Sequence, residues 1–219
     1  RTDVILSYVS RKEEISAHYV AEFGMPVFEP FVGLRFEQSL FPESVAPPYD
    51  VLSGNDVRQL RESSPSNVTW IDVPLRDDGD DPYAVAATKM TDWISSGVLI
   101  ADDTPSFTIY RMTFNTESGV SRTIDGVIGA LEVVPEGGDG VLPHERTTPK
   151  ASTDRLDLTI STEANLSPIW GLSRAAGLSD LLAEPGEQFG AVEIDGVLHT
   201  LERVSDPDRV SAIHEPRPR

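Results

Sequence analysis

The chain has 219 residues, 39% of them hydrophobic and 25% charged, which fits a globular protein of one large or two small domains rather than a disordered one. Its 36 Asp and Glu against 18 Lys and Arg give a net charge of −18, which excludes the broad basic face that sequence-independent DNA binding requires, so nucleic acid is not an expected partner. The absence of cysteine excludes disulfides, thiolate metal sites and thiol nucleophiles; no apolar run approaches the ~18–20 residues of a membrane span, and with no signal-peptide pattern a cytoplasmic location is expected.

Residues 1–25 read as an N-terminal extension. They open on the apolar run Val4-Ile5-Leu6 and continue as a helix capped by Ser10, with Glu13 at the capping-box spacing and Gly24 as its stop. Prolines and aromatics keep "MPVFEPFVGLRF" extended. In "VAPPYDVLS", Pro47-Pro48 stiffens the backbone and Ser53 caps a short helix to about Arg61. "NVTWIDVP" alternates as a half-buried strand does. "DDGDD" is a solvated turn. Asp81 and Pro82 then provide an N-cap and an N1 proline for a helix that carries Ala86, Met90, Trp93 and Ile94 at helical spacing and stops at Gly97.

Two long strands, "SFTIYRMTFN" and "SRTIDGVIGALEVV", are joined by a turn at Glu117-Ser118-Gly119. The loop "PEGGDG" leads into "GVLPHERTTPK", and a helix follows from about Ser152 to Glu163. "NLSPIWGLS" reads as a short buried strand and Leu178–Leu182 as a short helix. "FGAVEIDGVLHTLERV" is a hairpin in which Asp195-Gly196 fits a type I′ turn, and "DPDRVSAIHE" is a closing helix. Hairpins alternating with helices predict an α+β fold, a mostly antiparallel sheet with flanking helices, in a single domain over residues 26–215.

The densest group of chemically able side chains is His144-Glu145-Arg146-Thr147. Imidazole exchanges protons near neutral pH, a carboxylate acts as base or metal ligand, and a guanidinium fork matches phosphate or carboxylate. The competing reading is a polar loop fixed by local salt links. Tyr49 and Asp50 stand on the stiff "APPYDV" loop, where the plainer reading is a turn capped by Asp50. Asn165 and Ser167 in "ANLSPIW" are a second candidate pair, otherwise a turn before proline. Arg35 in "VGLRF" reaches an anion or pairs with a carboxylate. His18, His199 and His214 read as structural or surface groups. The glycine-rich phosphate loop, the dinucleotide fingerprint, HExxH and GxSxG are all missing, which removes most common enzyme classes.

Four stretches in this order, "PFVGLRF", "VAPPYDVLS", "VLPHERTTPKASTDRLDL" and "ANLSPIWGLS", resemble the bacterial domain of unknown function 1015 family, whose members often carry the label SpoOJ/ParA/ParB/RepB family protein. The resemblance runs from about Pro30 to about Asp208 and leaves residues 1–25 outside. It implies relation to the ParB/sulfiredoxin-like fold, some members of which phosphorylate free serine. It therefore implies a kinase of an amino acid such as serine, with ATP and Mg2+, in which His144 or Glu145 serves as base, Arg146 contacts phosphate, and Asp50 or Glu145 contacts metal or amine. The alternatives are a ParB-like nucleotide-binding or regulatory module without catalysis, and a folded piece without activity of its own. Family members carry a later "DGHHR"-type phosphate motif that is not found here, so the chain is expected to be the N-terminal part of a longer protein.

Overall fold

The computed structural model describes residues 3–8, 26–134, 140–142, 149–173 and 175–214. The helix expected over residues 10–24, His18 and the His144–Thr147 group lie outside the described residues. The fold is α+β. Two compact units share the chain: Arg1–Gly33, Asp102–His144 and Pro168–Arg219 make the first, Leu34–Ala101 and Glu145–Ser167 the second. The division runs inside the 26–215 span that the sequence reading treats as one domain.

The first unit is built on a seven-stranded sheet in the order β7-β1-β6-β5-β9-β8, with β2 also against β6. Its strands are β1 (Asp3–Tyr8), β2 (Phe28–Glu29), β5 (Phe107–Asn115), β6 (Ser121–Leu131), β7 (Ile169–Ser173), β8 (Glu187–Ile194) and β9 (Val197–Val204). Every neighbour pair is antiparallel except β1–β6. The β8–β9 hairpin turns where the sequence places it, with Asp195 at φ 51° and Gly196 at φ 77°. Two positive φ values in succession are the type I′ signature, which matches the right-handed strand twist. Phe107, Ile109, Val127 and Val204 of the sheet are buried against Leu178 and Leu182 of α6 (Leu178–Ala183) and Ile213 of α7 (Pro207–His214). Burying each such side chain contributes about 1.5–3 kcal/mol.

Among the described residues the second unit holds a two-stranded sheet, β3 (Leu34–Phe36) with β4 (Leu99–Ala101), and five α-helices: α1 (Phe41–Ser44), α2 (Gly54–Ser63), α3 (Thr69–Asp72), α4 (Pro82–Ser96) and α5 (Pro149–Thr162). The caps are those the sequence announces. Ser53 and Asp56 form a capping box on α2. The Asp81 carboxylate accepts from the Tyr83 and Ala84 amides, and α4 ends at Gly97 with φ 77°. The core joins Ile71, Met90, Trp93, Leu99 and Ala164.

Two sequence expectations are corrected. "NVTWIDVP" forms a helical turn over Thr69–Asp72, not a strand: the Asn67 Oδ1 accepts from the Thr69 amide (3.1 Å), and Arg61 donates to the Thr69 carbonyl and, past the far end, to the Val73 carbonyl (3.0 Å each). Both ends of a single helical turn are thus satisfied by side chains, which outweighs the alternation of its apolar residues. "IWGLS" is a strand but not a buried one, because it runs at the edge of the sheet. The short strand β4 has too few residues to carry a periodic signal. No helix among the described residues is long and apolar enough to cross a membrane.

Candidate functional site

The second unit gathers a polar cluster around α5. Its first contributor is the loop holding "VAPPYDVLS". Pro47-Pro48 restricts the backbone, and Tyr49–Val51 coil into one tight turn before Ser53 caps α2. The loop is pinned from beneath by Asn67, which is 1% exposed. Its carboxamide nitrogen donates to the carbonyls of Glu43 (3.1 Å) and Val45 (2.8 Å), while its oxygen also accepts from the Thr69 hydroxyl (2.8 Å). Every hydrogen-bonding direction of this amide is used, so the loop that presents Tyr49 leaves from a fixed base.

Arg155 on α5 reaches back to that loop. Its guanidinium carbon lies 4.2 Å from the centre of the Tyr49 ring. Nη1 donates to the Asp72 carbonyl (2.9 Å) and to Asp72 Oδ1 (3.0 Å), at the end of α3. Nε and Nη2 donate to Asp154 Oδ2 at 3.2 and 2.8 Å. Asp72 Oδ1 also accepts from the Ser167 hydroxyl at 2.9 Å, and Asp154 Oδ1 accepts from the Tyr83 phenol at 2.8 Å. Burial, followed by the Asp154 hydrogen bond, holds the Tyr83 pKa above the ordinary phenol value, so Tyr83 is a donor and not a base at neutral pH.

Two carboxylates, Asp72 and Asp154, face one guanidinium here. Asp72 is 14% exposed and Asp154 45% exposed, so Asp154 is the carboxylate on the solvent-facing side of the cluster. Ser167 and Tyr49 stand beside them as neutral polar groups. The same proline-stiffened loop borders an open groove of about 340 Å³ lined by Pro47, Leu52, Asp56, Gln59 and Leu60. In the first unit a groove of about 550 Å³ runs past Arg203 and Arg209. Arg203 is bound there by Glu187 and Asp103, and Arg209 by the carbonyls of Leu181 and Pro185.

Of the residues singled out in the sequence, Tyr49 and Ser167 are brought together, bridged by Arg155 and Asp72. Asp50 is exposed beside Tyr49, and Asn165 is half-buried in the turn two residues before Ser167. Arg35 stands on β3 opposite Ile100. His144, Glu145, Arg146 and Thr147 precede α5 in the chain, outside the described residues. Sequence reasoning missed Asp72, Tyr83, Asp154 and Arg155. Asp154 and Arg155 lie inside the quoted stretch "PKASTDRLDL", which was the available signal; Asp72 lies in the segment misread as a strand.

The family model described as "Protein of unknown function (DUF1015)" matches residues 28–216. No significant match was found among curated proteins or among solved structures.

Proposed function

The chain belongs to the DUF1015 family of proteins of unknown function, and we propose that it is an ATP-dependent kinase of a small amino-acid-like acceptor such as free serine, bound at the Tyr49–Asp72–Arg155–Ser167 cluster. The observation that carries this reading is the convergence of "VAPPYDVLS", "PKASTDRLDL" and "ANLSPIW" on one polar cluster. Arg155 and Asp72 are 83 positions apart, and Ser167 and Asp72 are 95 apart.

In this reading the carboxylates of Asp72 and Asp154 receive the acceptor ammonium. The acceptor hydroxyl oxygen attacks the γ-phosphorus of ATP, the bond to the ADP oxygen breaks, and the hydroxyl proton passes to His144 or Glu145. Arg146 contacts the phosphates, and Thr147, Asn165, Asp50 and Arg35 complete the binding surface. Mg2+ in such reactions screens phosphate charge. Among the described residues no group of three or more His, Asp or Glu side chains is placed to hold a metal ion, and no step is assigned to Mg2+.

One observation favours the second reading, a nucleotide-binding or regulatory module without catalysis: Arg155, the cation at the centre of the cluster, is committed to Asp72 and Asp154. ADP formation by the full chain, followed with ATP, Mg2+ and a panel of amino acids, separates the two. Turnover with a hydroxyl-bearing acceptor, lost in His144→Ala or Glu145→Ala, supports the kinase. Full turnover in both variants refutes the assignment of that loop. Nucleotide binding without ADP formation for any acceptor favours the module.

A further inference from the structure

A sheet that ends in solvent exposes a row of backbone donors and acceptors, and proteins normally blunt such an edge with charge, proline or bulges. The first unit treats its two edges differently. At β8 the edge carries Glu187 and Glu193, and the ladder to β9 is interrupted by a register shift between Gln188 and Gly190. At the other edge β7, "IWGLS", has no charged residue and no shift in its pairing to β1. Among the described residues β7 pairs with nothing on its outer side. Its apolar side chains are also unusually open: Ile169 is 66%, Trp170 46% and Leu172 67% exposed. Alternation puts Trp170 and Leu172 on one face of the strand and Ile169 on the other, so both faces of the edge are apolar.

We propose that β7 is a dimerisation edge, pairing antiparallel with β7 of a second copy of this chain about a two-fold axis near Gly171. The occupant follows from charge and from self-complementarity. Each copy carries −18, so two copies repel over most of their surface, and an uncharged strand is where they approach at least cost. Centred on Gly171, the pairing sets Trp170 across from Leu172 of the second copy, and the reciprocal contact forms by symmetry. Ile169 then lies across from Ser173 of the second copy. Pairing β7 with β8 of another copy instead sets apolar residues beside Glu187 and Glu193 and breaks the ladder at the bulge. The assembly therefore closes as a dimer and does not extend as a filament.

The test is the mass of the full chain in solution over a concentration series, by light scattering after size exclusion. The expected species has twice the 23.9 kDa of one chain and dissociates on dilution. Leu172→Lys and Ile169→Lys each give a single chain at every concentration with unchanged circular dichroism, whereas Glu193→Lys on β8 leaves the dimer intact. Amide exchange on β7 is slower in the dimer than in the diluted chain, which keeps the proposal open to test if a lysine variant misfolds. A single chain at every concentration, or a dimer that survives both lysine variants, overturns it.

Discussion

Arg155 rests its guanidinium 4.2 Å from the centre of the Tyr49 ring while bonding Asp72 on one side and Asp154 on the other. The three partners use the planar fork and the face of the cation together, which a lysine cannot reproduce. Arg155 is 21% and Asp72 14% exposed, so removing the cation leaves a carboxylate largely out of water. Arg155→Ala is expected to cost about 1–3 kcal/mol, below the loss for a fully buried pair because solvent reaches both groups. Arg155→Lys keeps the charge but not the fork and recovers only part of that loss. Urea unfolding of the three proteins measures it; an unchanged midpoint in Arg155→Ala shows that the cluster contributes nothing to the fold.

Asn67 supports the same site from below, and its effect is separable because it touches none of the charged groups. Truncation to Ala leaves the part-buried carbonyls of Glu43 and Val45 and the buried amide of Thr69 without these partners. Asn67→Ala is expected to destabilise by about 2–4 kcal/mol. Asn67→Asp is expected to be at least as costly, since a carboxylate accepts but has no hydrogen to give the two carbonyls. Denaturant midpoints decide this, and a midpoint for Asn67→Asp near the parent value contradicts the assigned donor directions.

These two residues also mark where sequence reading stops. Features that depend on one local side chain are legible: Ser53 before α2, Asp81 before α4, Gly97 after it, and Asp195-Gly196 in the hairpin all act within three residues. Features that depend on distant partners are not. The helix at Thr69–Asp72 is set by Asn67 at its start and by Arg61, twelve residues from Val73, past its end. Trp70 and Val68 in the same stretch imitate a strand. Tyr49 and Ser167 stand out because prolines fix their loops. Asp72 is one of 36 acidic residues, and nothing in the sequence distinguishes it from the others before Arg155 and Ser167 are seen to bond to it.

Acid stability turns on Glu202, buried on β9. Burial pushes its carboxyl pKa up, but the hydrogen bonds from Arg111 and from the Gly186 amide outweigh it, and the pKa lies below the ordinary value. Arg111 Nε reaches Oε1 at 2.8 Å, the Gly186 amide reaches Oε2 at 2.8 Å, and Arg111 Nη1 also binds Asp125 at 2.7 Å. The folded protein therefore binds fewer protons here than the unfolded chain. The contribution is fully present above the unfolded Glu value of about 4.3 and is lost as pH falls through the lower folded value. Urea midpoints measured from neutral pH into acid are expected to fall in that window. Glu202→Gln has a lower midpoint at neutral pH and a shallower acid dependence; an equal acid slope in the variant removes Glu202 as the cause.

The centre of the large sheet is closed by a contact that admits no methyl group. Gly129 on β6 lies under Phe28 and Phe107, whose rings stack with centroids 5.2 Å apart. A Cβ at position 129 meets the Phe28 ring and comes to 2.7 Å from Phe107 Cε1, closer than carbon atoms pack. The glycine is needed for this close approach and not for its backbone freedom. Gly129→Ala is expected to cost about 1–3 kcal/mol by overpacking. Phe28→Leu removes ring atoms from the clash, so the double variant is expected to lose less than the sum of the two single losses, with a coupling of about 0.5–3 kcal/mol. Urea unfolding of the four proteins measures that coupling. Strict additivity places the cost of the alanine elsewhere, because a steric conflict between two side chains cannot persist once one of them no longer fills the space.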